Sequence, residues 1–185
     1  MCETVIHDEA QAPPHALGTC FAYLVENNIL NDLVSLCLPD EPLGILDEFL
    51  RMCTTLVRHI HVPWFLANEG VAHALLQLLR SCNKKQQKPP GLVELVYALC
   101  ARIHQQPDTL RVLVQLGAQL PKERPADRFP LMTCILRHIT MNGPPGRHMC
   151  TSLVWVMHAL LTLGTNHGAA WPALYFDQAT CSDLA

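Results

Sequence analysis

The sequence predicts an all-α fold built from consecutive amphipathic helices. Apolar residues recur at helical spacing from Phe21 to Leu163, and this spacing places them on one face of each helix. Half of the residues are hydrophobic and only 16% are charged, which is rich in apolar residues for a globular domain. Sustained alternation of apolar and polar residues does not occur, so we expect no strands.

Prolines, glycines and capping residues divide the chain into eight predicted helices. Pro63 ends the third helix, because the residue before a proline avoids helical geometry. Asn68 is a favourable N-cap for the fourth, and Gly164 ends the eighth. The predicted helices are Ala16–Glu26, Leu30–Leu38, Leu43–Ile60, Glu69–Ser81, Leu92–His104, Pro107–Gly117, Asp127–Met141 and Arg147–Leu163.

Three of these helices carry the clearest apolar faces, which we predict to form the core. The predicted core residues are Leu46, Phe49, Leu50, Cys53, Leu56, Val57 and Ile60, then Leu75, Leu76, Leu78 and Leu79, then Leu92, Leu95, Val96, Leu99, Cys100 and Ile103.

The chain divides into three predicted regions. Residues 1–15 are polar and include Pro13-Pro14, so we interpret them as a disordered or extended lead. Residues 16–163 form the helical repeat domain. Residues 164–185 lack helical periodicity and are interpreted as an irregular tail, which a truncation of the gene product would also explain.

The expected architecture is an irregular α-solenoid of the armadillo or HEAT type, with a compact helical bundle as the alternative. Cys53, Cys100 and Cys134 mark similar places in three helices. Their separations of 47 and 34 residues bracket the repeat lengths of two-helix and three-helix solenoids. In such a fold each helix pair buries its apolar face only against its neighbours.

Charge is distributed unevenly along the chain, although the net charge is only −3. Residues 1–50 contain nine acids and no Lys or Arg, whereas residues 51–128 contain eleven bases and five acids. The favoured interpretation is that neighbouring helices neutralise each other, and the alternative is steering of a charged partner.

The nine cysteines are interpreted as free thiols. No Cys-x-x-Cys pair occurs, and six cysteines lie on or beside apolar helical faces, where a thiol behaves as a small hydrophobe. With an odd count and no signal peptide, the sequence predicts a reducing, cytoplasmic location. No apolar run reaches the ~18 residues of a membrane-spanning helix.

Two sets of residues suggest metal binding, and for each a structural role is favoured. Histidines two positions apart on a helix point in different directions, and imidazole is common near a helix C-terminus. The sequence therefore predicts no metal site, no cofactor and no catalytic residue. The first set is His59 and His61 beside Cys53, and the second combines Cys134 and His138 with His148 and Cys150.

Two other segments are interpreted as connections between helices. Gly143-Pro144-Pro145-Gly146 is not a phosphate-binding loop, because two of its four residues lack a backbone N–H. Trp64-Phe65 is expected to pack into a helix junction, with a partner-facing anchor as the alternative.

One local basic cluster occurs at the end of the fourth predicted helix. It could bind a phosphate of a lipid headgroup or nucleic acid, but no aromatic residue is interleaved with it, so a solvated loop is favoured. Its members are Arg80, Lys84, Lys85 and Lys88.

An ordered set of short segments resembles the N-terminal part of the FTS- and Hook-interacting protein family, also called the retinoic-acid-induced-16-like family, in its fungal-type version. The resemblance covers roughly residues 20–160, and each segment is a packing motif. The segments are Tyr23–Val34, Asp40–Ile45, Glu48–Arg51, Val71–His73, Leu78–Cys82, Leu99–Arg102, Arg128–Leu131 and Leu136-Arg137.

The resemblance implies a non-catalytic α-helical scaffold that joins Hook adaptors and FTS, a ubiquitin-conjugating-like protein, in a complex connecting early endosomes to dynein. The implied partners are a Hook-type coiled-coil adaptor and FTS. An endosomal small GTPase or a membrane surface is a further alternative, and no nucleic acid is expected. Members are several times longer, so we expect a fragment or a shortened product.

Two other functions stay open at this point. A generic armadillo-like domain would bind an unrelated partner through its surface. A Cys-dependent enzyme is the remote alternative and would require one selectively reactive thiol.

Overall fold

The computed structural model describes residues 2–13, 18–62, 65–85, 89–119 and 129–167. Within these ranges the protein is all-helical, with helices joined by turns and without strands. The helices are α1 Cys2–Gln11, α2 Thr19–Glu26, α3 Ile29–Cys37, α4 Ile45–His59, α5 Glu69–Lys84, α6 Gly91–Gln105, α7 Asp108–Gln119, α8 Pro130–His138 and α9 Pro144–His167.

Each of the eight predicted helices has a counterpart among α2–α9, and the differences lie at the ends. Helix α5 extends three residues beyond Ser81. Helix α9 begins at Pro144, because proline suits the first turn of a helix, and continues past Gly164 to His167. The predicted cap Asp127 and the loop Pro121–Pro125 lie outside the described residues.

The N-terminal segment differs from the disordered or extended lead expected over residues 1–15, because Cys2–Gln11 is the helix α1. Its acids satisfy backbone N–H groups at the start of α2: Glu9 Oε1 accepts from Gly18 N at 2.8 Å, and Asp8 Oδ2 accepts from Cys20 N at 2.7 Å. Acceptors at a helix N-terminus stabilise it, so this contact between helices holds α1 in place.

Helices α4, α6 and α9 form a parallel row. Gly91, at the start of α6, donates to Asp47 near the start of α4 at 2.6 Å, and Arg102 near its end donates to the Ile60 carbonyl at 3.1 Å. Helices α6 and α9 also run in the same direction, since Tyr97 stacks on His148 and, further along both helices, His104 contacts His158.

The remaining helices cover the other side of this row. Helix α5 packs against α3, α7 and α8, while α7 and α8 also contact α6 and α9. Helix α1 packs on both α2 and α4. The core lies between the row and these helices, and every predicted core residue is buried.

Local contacts explain two of the helix beginnings. The Asn68 side chain accepts from the backbone N–H groups of Gly70 and Val71, which confirms the predicted N-cap of α5. At the α8–α9 turn, Gly146 approaches the Met141 carbonyl so closely that a Cβ atom would collide with it. Glycine alone fits there.

Among the described helices, none combines the length and apolar character that crossing a lipid bilayer requires.

Candidate interaction surface

Five side-chain rings line the groove between α6 and α9. Tyr97 stacks on His148 at a centroid distance of 4.4 Å and contacts Trp155 at 5.2 Å. His104 then stacks on Trp155 at 5.6 Å and meets His158 edge-on at 5.3 Å. We call these five residues the ring row. Tyr and Trp supply much of the binding energy in protein interfaces, so the ring row is a candidate contact site.

Helical spacing brings the rings together. Tyr97 and His104 are seven residues apart on α6, and so are His148 and Trp155 on α9, so each pair shares one helix face. Because α6 and α9 run parallel, the two faces meet from Tyr97 and His148 to His104 and His158. The rings are partly or fully exposed at the surface of the parallel row.

Beside the ring row, polar and charged side chains link α6 to both of its neighbours in the row, α4 and α9. Arg58 of α4 pairs with Glu94 of α6 at 2.7 Å, and His148 of α9 lies 3.5 Å from the same carboxylate. Arg58 and Glu94 are about half exposed, so the pair contributes little to stability. Its polar groups remain accessible to a partner.

An apolar stripe runs along a different side of α9. Val154 is 65% exposed, Met157 36% and Leu161 68%, and Cys150 is also exposed. The spacing of four, three and four residues keeps the four side chains on one face. We call them the α9 stripe and treat it as a second candidate interaction surface, because exposed apolar patches are common at interaction sites.

The two core voids that the described residues line are too small for a ligand. Two voids in the described core have volumes of about 10 and 20 Å³ and are lined mainly by Leu, Val and Phe side chains. One of them lies between α3, α4 and α5, and the other among α5, α7, α8 and α9. Each holds about one water molecule at most.

A larger groove of about 720 Å³ lies between the α3–α4 turn and the α5–α6 connection. Lys85 of the predicted basic cluster lines it together with Asp40, Glu41 and Asp47. The acidic start of the chain and its basic middle therefore meet here. Arg80 is partly exposed and Lys84 is exposed, whereas Lys88 lies outside the described residues.

The candidate metal site at the end of α4 is not assembled. Cys53 is buried in the core, whereas His59 and His61 are exposed. His61 Nδ1 instead lies 2.8 Å from the buried Arg102 guanidinium. Within the described residues, no group of three His, Cys, Asp or Glu side chains is placed to hold a metal ion.

The other two Cys–His pairs lie in different parts of the molecule, one in the core and one on α9. His138 is buried beside Cys134, and its Nδ1 lies 2.7 Å from the Cys134 carbonyl oxygen of its own helix. His148 belongs to the ring row, whereas Cys150 belongs to the α9 stripe.

Burial makes several thiols poor nucleophiles. Loss of solvation raises the pKa of Cys82 to about 11 and that of Cys100 to about 12, and it raises the pKa of Cys53 still further. The thiolate is the reactive form, so a raised pKa suppresses reactivity at neutral pH. Cysteines Cys37, Cys53, Cys82, Cys100 and Cys134 are buried as predicted, whereas Cys150 is exposed.

Phe65 lies inside the helix junction, as predicted, with its ring 5.2 Å from the ring of Phe21. Trp64 lies outside the described residues.

The ring row was not predicted from the sequence. A signal was present, because aromatic and imidazole side chains recur at seven-residue spacing on two otherwise polar helix faces. The sequence does not tell which two helices lie side by side, and this information is needed to join the two faces.

Comparison with known proteins identifies the family. The family model described as Retinoic acid induced 16-like protein matches residues 20–168. The chain belongs to this family. The match spans α2 to α9, so the ring row and the α9 stripe both lie within the retinoic acid induced 16-like region, whereas α1 precedes it. Comparison with curated proteins and with solved structures finds no match.

Proposed function

We propose that this retinoic acid induced 16-like protein is a non-catalytic helical scaffold of the FTS- and Hook-interacting, fungal type. It joins a Hook-type coiled-coil adaptor and FTS and thereby acts in dynein-driven transport of early endosomes. Family membership over residues 20–168 is the observation that carries the proposal. The ring row is one of the surfaces that we assign to partner contact.

The helix packing supports a solenoid as the architecture of this scaffold. The principal contacts join helices no more than three positions apart along the chain, as in α4 with α6 and α6 with α9. Packing limited to near neighbours is typical of solenoids, and their parallel rows build extended binding surfaces.

Two features support a role without catalysis. The two core voids are too small for a substrate. Burial also raises the pKa of three core thiols and so disfavours them as nucleophiles. The protein would then act in the cytoplasm through its surface and reach endosomes through its partners, with a small GTPase or the membrane itself as a further contact.

Retention of partners on the immobilised full chain tests the proposal. We expect a Hook C-terminal segment and FTS to be retained, and an unrelated coiled coil to be lost on washing. The double substitution Tyr97→Ala and Trp155→Ala should reduce retention at least tenfold, since it removes both large anchors of the ring row.

Tyr23→Ala is the matched control, because Tyr23 is an exposed aromatic residue on α2, away from the ring row. It should leave retention unchanged. Failure of the wild-type chain to retain either partner would overturn the proposal and favour a domain with an unrelated partner.

A further inference from the structure

The α9 stripe lies on the side of α9 that faces away from α6. On α9, His148, Ser152 and Trp155 contact α6 through Tyr97, Cys100 and His104, and His158 also meets His104 edge-on. Three stripe residues lie two positions after three of these contact residues: Cys150 after His148, Val154 after Ser152 and Met157 after Trp155. Two positions correspond to about 200° around the helix. Among the described helices, the last member of the parallel row, α9, therefore has an apolar outer side.

The two ends of the parallel row differ. At the α4 end, α1 packs against the row, and the Cys2 thiol approaches the Met52 carbonyl at 3.9 Å. At the α9 end, the stripe is exposed among the described residues. Terminal helices of stacked helical proteins normally present a polar outer face. An apolar outer face is typical of a site that another helix covers.

The dimensions of the stripe favour one partner helix over a second copy of the chain. The distance along α9 from Cys150 to Leu161 is about 17 Å, or three helical turns. A stable dimer buries about 800 Å² on each partner, which is far more than four partly exposed side chains provide. A single amphipathic helix that contacts the stripe at successive turns fits this length.

The charges around the stripe indicate the chemistry of that helix. Arg147 is exposed one turn before Cys150, and the imidazole of His158 is exposed beside Val154 and Leu161. No acid occurs between Phe129 and Phe176. We propose that the α9 stripe binds an amphipathic helix of a partner protein that carries acidic residues beside its apolar positions. The inference deepens the proposed function and rests on it for the source of the helix, a coiled-coil adaptor.

Two synthetic helical peptides test this inference on the full chain. Both carry leucines at heptad spacing, and they differ only in whether the flanking positions are Glu or Lys. By fluorescence anisotropy, we expect the Glu peptide to bind at least tenfold more tightly than the Lys peptide. Arg147→Glu should remove most of this preference.

Variants of two matched leucines locate the binding site. Leu161 is 68% exposed on α9 and Leu36 is 69% exposed on α3. Leu161→Glu should weaken binding of the Glu peptide at least tenfold, whereas Leu36→Glu should change it less than twofold. Val154→Glu is a second stripe variant, and circular dichroism should confirm that each variant remains folded.

Several outcomes would overturn the inference: equal binding of both peptides, equal effects of the two leucine variants, or a dimer of the free chain that Leu161→Glu dissociates. The Hook segment separates this inference from the proposed function. Equal retention of that segment by wild type and by Leu161→Glu overturns the inference alone. Tight binding of the Glu peptide without retention of the Hook segment or FTS overturns the proposed function alone.

Discussion

Helices α6 and α9 are both rich in apolar residues, but they have different surroundings. Helix α6 lies between α4 and α9, with α7 and α8 against it, and ten of its fifteen residues are buried. Helix α9 packs against α6, α7 and α8 and exposes the α9 stripe on its remaining side. An apolar helix face therefore stabilises the fold where a neighbour covers it, and we propose that it binds a partner where no described neighbour does.

The largest expected difference between the two helices is in thiol reactivity. Burial raises the pKa of Cys100 on α6 to about 12, so its thiolate is scarce at pH 7.5, whereas Cys150 on α9 is exposed. Each unit of raised pKa removes about tenfold of the reactive form. We expect iodoacetamide to modify Cys150 more than a hundredfold faster than Cys100, as measured by peptide mass spectrometry over time.

The slow thiols provide the control for this experiment. Cys82, with its pKa raised to about 11, should also react far more slowly than Cys150 in the folded chain, and Cys82 and Cys100 should both react readily in denaturant. Selective modification of either one at low pH would contradict the account and favour a Cys-dependent enzyme.

Substitutions in the same two helices should change the free energy of unfolding by different amounts. Leu95 of α6 is fully buried, and Leu95→Ala should lower the free energy of unfolding by about 2–5 kcal/mol, since it leaves a cavity in a packed core. Leu161→Ala should change it by less than about 0.5 kcal/mol, because an exposed side chain loses little packing. Urea denaturation followed by circular dichroism measures both, and equal losses would show that Leu161 is covered.

A substitution at the start of α9 should lower the free energy of unfolding by less than Leu95→Ala does. An alanine side chain at Gly146 would meet the Met141 carbonyl oxygen, which belongs to the backbone and cannot rotate away. Gly146→Ala should therefore lower the free energy of unfolding by about 1–3 kcal/mol. Thr151→Ala, an exposed position in the next turns of α9, serves as the control and should be nearly neutral. A neutral Gly146→Ala would mean that the α8–α9 turn relaxes freely.

Much of the fold could be predicted because its signals are local. Helical spacing predicts the buried residues of α4, α5 and α6, and Asn68 predicts the start of α5 through a contact within two or three residues. The Asp47–Arg51 pair on α4, at 3.0 Å, is similarly local, since its members lie four residues apart.

The features missed from the sequence depend on contacts between distant segments. Helix α1 has few apolar residues, and its position depends on Asp8 and Glu9 accepting hydrogen bonds from the start of α2. The ring row depends on α6 and α9 lying parallel, although Tyr97 and Trp155 are far apart in sequence. Local periodicity indicates which residues share a face but not which faces meet.

Protection of Cys150 in the complex tests the central claim, that the α9 stripe is one of the surfaces through which the chain binds a Hook-type adaptor. The alkylation rate of Cys150 would be measured with and without a saturating Hook C-terminal segment. We expect at least tenfold slower modification in the complex, because a docked helix would cover the α9 stripe. An unchanged rate with the segment bound, or no binding of the segment, would contradict the account.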